Sequence, residues 1–315
     1  MADLHETSCS NDVPLPSNPF VALHPHYGML LGVADFQADQ AYHRGKMRLH
    51  NAWAHGWGVL WGLGVSVDTV KGEVSVAPGL ALDGRGRELH NDGAMCVNVG
   101  RWFEAHRNDV GFVFTDTAGL IHFDAHVRIR HHACLSAPVP ALADSCSNDS
   151  AGIAYSRVVE TVLIELMPGK APARAHRNPL LRVLAGLDEA RQDEGGVVLP
   201  GDQAALDARA AISAAAPADR LAAAAAAWHH ISVLDSITEA PALPSDPDDT
   251  DGHLFPAAGP AALALALADL GGVTLTTTDT GTTLSLTSVD NDVRSVLLAT
   301  STLQALGGAL LAALA

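Results

Sequence analysis

The first patterned stretch of the chain carries a helical signal. From residue 35 to about residue 55 there is no proline, and Tyr42, Leu49 and Trp53 recur at i, i+7 and i+11. This predicts a helix with Asp35 as its N-cap and Gly56 as its stop. Beyond Gly56 the hydrophobic period falls to two. Val59, Trp61, Leu63, Val65 and Val67 alternate with small or polar residues, and residues 73–77 repeat the alternation after Gly72, so a hairpin is expected. The run LALDGRGRELH places Asp83-Gly84 where a tight turn would join two more strands. No strand-to-helix context surrounds this pair, so turn formation explains it better than phosphate binding.

The longest alternation covers residues 121–133. Phe123, Ala125, Val127 and Ile129 fall on one face, and His122, Asp124, His126, Arg128, Arg130 and His132 on the other, as in a strand with one wet side. Residues 153–167, rich in Val and Ile and closed by Pro168-Gly169, predict a second long strand. After Lys170 the composition turns to Ala, Arg and Pro, and the alanine run at 222–227 predicts a helix over about 219–230. The polar stretch PALPSDPDDTDG then precedes an expected hairpin of residues 273–278 with 282–288, and a Leu-rich helix closes the chain. The fold class that follows is α+β: an N-terminal helix, an antiparallel β domain of sandwich or barrel-like form, an Ala-rich helical insert, and a C-terminal hairpin plus helix. The expected boundaries are a mobile N-terminal arm at 1–19, the helix and β domain at 20–169, the insert and linker at 170–260, and the C-terminal unit at 261–315.

Composition narrows the partners. Among 315 residues, 48% are hydrophobic, enough for a sizeable core. Nineteen Lys+Arg against 35 Asp+Glu leave a formal net charge of -16, whose field repels phosphate backbones, so nucleic acid is not an expected partner. The opening MADLHETSCS has acidic residues where a signal peptide needs basic ones, and no apolar stretch follows, so synthesis and folding in the cytoplasm are expected. Residues 296–315 carry no formal charge over 20 positions, about the length of a membrane span. Leu303, Leu306, Leu310 and Leu314 recur there at helical spacing among Thr, Ser, Gln and Gly, which favours a packing or oligomerisation helix over a tail anchor.

Candidate chemistry is sparse. Sixteen histidines invite a metal, and His24, His26, His43, His50 and His55 fall close together in the chain, although His43 and His50 stand two helical turns apart, too far to chelate one ion alone. Cys134 and Cys146 bracket the loop CLSAPVPALADSC. With His131 or His132 they could complete a tetrahedral zinc site; they could also form a disulfide clamp across the loop or remain free thiols. The candidate metal ligands are therefore His24, His26, Cys134 and Cys146, with zinc as the possible ion and no other cofactor implied. The acidic run Asp246, Asp248, Asp249, Asp251 misses the calcium-loop register and reads as a solvated linker. No G-x-S-x-G, H-E-x-x-H or Walker-type loop occurs, so no catalytic residue is assigned and a non-enzyme is expected. Trp57, Trp61 and Trp102 could offer stacking faces to a carbohydrate, but the alternation puts Trp61 with Val59 and Leu63 in the core.

The block HPHYGMLLGVADFQADQAYHRGKMRLHNAWAHGWGVLWGLGVSV, followed by VSVAPGLALDGRGRELH, resembles uncharacterised bacterial proteins encoded beside phage-tail-like extracellular contractile injection systems. The matching landmarks are Gly28-Met29-Leu30, Asn51 with His55-Gly56, Gly58-Val59, Gly62-Leu63, Pro78-Gly79 through Asp83, the loop from Cys134 to Cys146, and Asp290-Asn291 with Arg294. Residues 24–90 carry the closest match, and 170–260 match nothing in the group. The resemblance implies a structural part of the particle, in a baseplate, fibre-attachment or accessory position, with other particle subunits as partners in a homo- or hetero-oligomer. The alternative expectation is a zinc- or iron-binding enzyme, or a metal-stabilised binding protein, using the His and Cys ligands named above.

Overall fold

The computed structural model describes residues 9–10, 19–140, 153–172, 178–237, 255–256, 259–278 and 281–314. Two compact units emerge, one of residues 1–175 with 243–315 and one of residues 176–242. The chain is α+β, with antiparallel sheets and an N-terminal helix. Within the expected arm at 1–19, Cys9–Ser10 forms a short strand, β1; most of the remainder lies outside the described residues.

Helix α1 (Val33–His50) runs into a π-turn at Asn51–His55 and ends at Gly56 as expected, where φ is 79°. It starts before Asp35. The Asp35 carboxylate accepts the Gly32 N–H at 2.8 Å, satisfying an orphan donor from inside the first turn. Its buried face is made of small residues, Ala41, Gly45 and Ala52, while Trp53 is exposed. The reason is close approach: a Cβ on Gly45 would collide with Pro19, and the next turns lie against a loop backbone.

Two small sheets follow. One has the order β2 (Gly58–Gly62), β5 (Gly79–Leu82), β6 (Glu88–Asn91); the other, β3 (Val65–Asp68), β4 (Glu73–Val76), β7 (Met95–Asn98). The expected continuous alternation over 59–67 breaks at Leu63, whose φ is 53°. A bulge between Val59 and Trp61 shifts the register, so Val59 and Leu63 are buried while Trp61 turns outward at 54% exposure. The predicted core position of Trp61 is thus corrected. Helix α2 (Val99–His106) is capped by Asn98, whose side chain accepts the Arg101 N–H at 3.0 Å. It delivers Trp102 and Phe103 to an aromatic cluster in which Phe103 stacks on Phe123 at 5.4 Å and meets Phe114 edge-on at 5.1 Å.

The main sheet has seven strands. β8 (Thr115–Thr117) leads into β9 (Leu120–Pro140), which pairs with β10 (Ile153–Pro168) as a long antiparallel hairpin. The short helix α6 (Pro260–Leu263) precedes β11 (Ala264–Thr278), which pairs with the other side of β9 and carries β12 (Gly281–Ser285) and β13 (Ser288–Asp290) on its far edge. The C-terminal hairpin, whose place relative to the first sheet the sequence leaves open, completes the main sheet. As the alternation predicts, Ile121, Phe123, Ala125, Val127 and Ile129 are all buried, facing Leu265, Leu270 and Val273 of β11 and sharing one core with Leu63, Val76 and Leu89 of the small sheets.

Helix α7 (Thr300–Leu314) closes the chain; among the described residues no helix is long and apolar enough to cross a membrane. The second unit holds α3 (Pro179–Ala185), α4 (Pro200–Ala214) and α5 (Arg220–Ile237) around Leu180, Val183, Leu184, Ala205 and Ile231. The alanine run falls in α5, as predicted, and α5 extends seven residues beyond 230, to Ile237.

Candidate functional site

The four predicted metal ligands do not form a described site. His24 and His26 are exposed in the segment before α1, where the His26 carbonyl accepts the Met29 N–H at 3.1 Å in a turn. Cys134, on β9, is disulfide-bonded, the second of the three states the sequence left open for it. Cys146 and the acidic run at 246–251 lie outside the described residues. Among the described residues no group of three or more His, Cys, Asp or Glu side chains could hold a metal ion. Two of the histidines of β9 are used locally: the Gly169 carbonyl can only accept, so His126 donates Nδ1–H to it at 2.9 Å, and His122 meets the Thr274 hydroxyl at 2.9 Å.

Several of the landmark residues, among them Asn51, Leu63, Gly79, Asp83, Asn291 and Arg294, meet at three backbone junctions. In the first, the Asp83 carboxylate, fully buried, accepts Arg87 Nε–H at 2.6 Å and the N–H groups of Arg85 and Arg87 at 3.0 and 2.9 Å. Burial is the largest influence on this carboxyl and pushes its pKa up, with Arg87 pulling the other way. The loop so formed presents Gly86 to α1, where Asn51 Nδ2 donates to the Gly86 carbonyl at 3.1 Å and a Cβ would strike the Arg48 carbonyl. In the second, Gly79 passes so close to Leu63 that any side chain there would collide with its backbone nitrogen. In the third, Asn291 pairs with Val65 through both amide atoms, at 3.1 and 3.2 Å. Beside it Arg294 donates to the carbonyls of Leu267, Asn291 and Gly62 at 3.0 to 3.2 Å. The following residues then form a bridge with β2, Val59 N–H to the Ser295 carbonyl at 2.8 Å and Leu297 N–H to the Val59 carbonyl at 2.9 Å. An open groove borders this junction, lined by Gly64, Asn291, Asp292, Arg294 and Val296, but the Arg294 guanidinium in its wall is directed at those carbonyls and at the Asn291 side-chain oxygen.

On the wet face of the main sheet, Glu165 of β10 accepts Arg128 Nε–H at 2.7 Å and Arg130 Nε–H at 3.1 Å. Partial burial opposes ionisation of Glu165, yet the two arginines outweigh it and hold the carboxyl below its usual range. Across the hairpin from Ala133, Glu160 binds Arg44 and Arg48 of α1, fixing the helix to the sheet. All of these groups fasten elements to one another.

The surface shows a different kind of feature. Residues 20–34 contain no Asp, Glu, Lys or Arg, and they leave Phe20, Val21, Tyr27, Leu30 and Val33 in solvent, with Leu30 94% exposed and Tyr27 fully so. Phe36 on α1 and Leu303 and Leu306 on α7 add to the exposed apolar set. Sequence periodicity does not find the first segment, because residues 20–32 belong to no regular element; the absence of charge over fifteen residues is the signal that could have. No protein-family model matches the chain, and no curated protein matches it.

Proposed function

We propose that this chain is a structural component of a phage-tail-like contractile injection particle, in a baseplate, fibre-attachment or accessory position, and that it acts through protein–protein contacts with other subunits. The observation that carries this reading is the uncharged segment at 20–34, which holds Tyr27 and Leu30 in water beside a helix that is otherwise well anchored. Soluble monomers rarely present large apolar patches without a binding role. The junctions built by Asn51, Asp83, Asn291 and Arg294 support the same reading, because these four residues carry part of the resemblance to the injection-system group and also brace the scaffold.

The test is native mass spectrometry of the purified full chain, alone and co-expressed with the products of neighbouring genes. A symmetric oligomer or a stable hetero-complex is expected, and Leu30→Asp combined with Tyr27→Asp should reduce it to free chain without unfolding it. A strictly monomeric chain that captures none of those products sinks the proposal.

A further inference from the structure

We propose that Cys9 is the disulfide partner of Cys134, and that this bond latches the N-terminal strand over a stretch of the β9 edge that no other described strand pairs. The register sets Cys9 directly opposite Cys134 and Ser10 opposite Ala133. Directly opposed residues of antiparallel strands have Cα atoms about 4.5–5.5 Å apart, inside the span of about 4.4–6.8 Å that a disulfide needs. Cys134 is disulfide-bonded, and Cys96 is free and exposed on β7, in a different sheet.

The latch sits where the sheet needs it. On this side of β9, β11 pairs only as far as Arg130. Toward the tip, Pro138 and Pro140 have no N–H to offer and Ala137 turns to a φ of 55°, so that part of the edge resists pairing. Residues 131–136 between them retain their N–H donors and regular extension, and β1 lies in the middle of that stretch. The opposite side of the same rows is filled by β10, with Val159 across from Cys134 and Glu160 across from Ala133.

A two-residue strand makes too few hydrogen bonds to offset the entropy of ordering it, so the covalent bond is what keeps β1 in place. The chain is held again at Pro19, packed on Gly45, and at Phe20, whose ring lies 3.9 Å from Lys46 Nζ. Only residues 11–18 separate this anchor from β1, and so short a tether gives Cys9 a high effective concentration at Cys134. Closure converts two thiols into one disulfide and passes their two protons and two electrons to a low-molecular-weight disulfide such as oxidised glutathione, which leaves as two thiols. Oxidised, the arm covers its own edge; reduced, the arm leaves and residues 131–136 can accept another strand. This inference does not depend on the assembly reading.

Peptide mapping without reduction, on the full chain equilibrated with oxidised glutathione, should recover a peptide pair joined through Cys9 and Cys134. A Cys134–Cys146 pair, or unlinked Cys134, overturns the assignment. Amide exchange then tests the latch: Cys9→Ser, or treatment with dithiothreitol, should speed exchange over residues 131–136 at least tenfold, while Cys146→Ser leaves it at the wild-type rate. Unchanged exchange in Cys9→Ser overturns the latch even if the bond is found.

Discussion

The sheet unit buries Trp102, Phe103 and Phe123 together with Val, Ile and Leu side chains from three sheets, whereas the helical unit closes over Leu180, Val183, Leu184, Ala205 and Ile231. Alanine supplies much of the helical unit's length but little apolar area to bury. Polar contacts stand in for that area: Asp202, fully buried, accepts the Arg191 backbone N–H at 2.7 Å and the guanidinium at 2.6 Å, and Arg182 grips Asp188 with two bonds at 2.7 and 2.8 Å. The two units therefore fail in different ways, one by losing volume and the other by losing a charge pair.

The largest expected effect tests the first half of that contrast. Phe103→Ala removes the ring that joins α2 to Phe114 and Phe123, at a cost of about 3–5 kcal/mol. Urea denaturation should show the loss as a lower midpoint, and amide exchange should place it in β9 and β11. A change of under about 1 kcal/mol would mean that the cluster repacks and that the sheets carry the unit without it.

Asp202→Ala tests the second half and should cost the helical unit about 3 kcal/mol, because it leaves the Arg191 N–H and guanidinium without their acceptor. A unit of about sixty residues has only about 3–9 kcal/mol in total, so exchange protection over α3 to α5 should nearly vanish. Acid sharpens the comparison. Burial opposes ionisation of Asp202, but the Arg191 bonds outweigh it and hold its pKa below the ordinary value. The stabilisation is thus complete above about pH 4 and is lost as pH falls toward the folded-state value. Asp83 has the opposite sign: burial raises its pKa, so its junction gains rather than loses on acidification. Exchange followed from pH 6 to pH 3 should show α4 losing protection before the loop at 83–87.

The sheet unit was readable in its sequence where one face is apolar and the other wet: the alternation over 121–133 names the buried apolar side chains of β9, although His126 of the expected wet face is buried as well. It failed where backbone geometry overrides the alternation, as at Leu63 and the bulge before Trp61, since a one-residue shift turns a side chain to the other face. The helix α1 was legible as a helix, but its packed face was not. Close backbone approach selects Ala41 and Gly45 there, and small residues carry no hydrophobic signal. The junctions were visible only as landmarks without roles, because the partners of Asn291 and Asp83 include residues far away in the chain or backbone groups that no side-chain pattern records.

A smaller effect separates the charge of a junction from its shape. Arg294 reaches carbonyls of β2, β11 and the 291 turn with one planar fork. Arg294→Lys keeps the positive charge but cannot span them, leaving half-buried carbonyls unpaired at a cost of about 1–2 kcal/mol. Thermal melting should fall accordingly in the sheet unit. If Lys melts like the parent, the charge beside Asp292 matters and the fork does not.

The smallest expected change in stability is at Leu30. The side chain is 94% exposed and packs on nothing that its loss could disturb, so Leu30→Asp should alter unfolding free energy by less than about 0.5 kcal/mol. That makes it the cleanest discriminator between a residue that builds the sheet unit and one that faces a partner. If the substitution leaves the melting curve in place while the complex with neighbouring gene products disappears, the apolar segment serves association. If it destabilises the isolated chain by as much as Arg294→Lys, residues 20–34 fold back onto the protein in solution, and the segment belongs with the core.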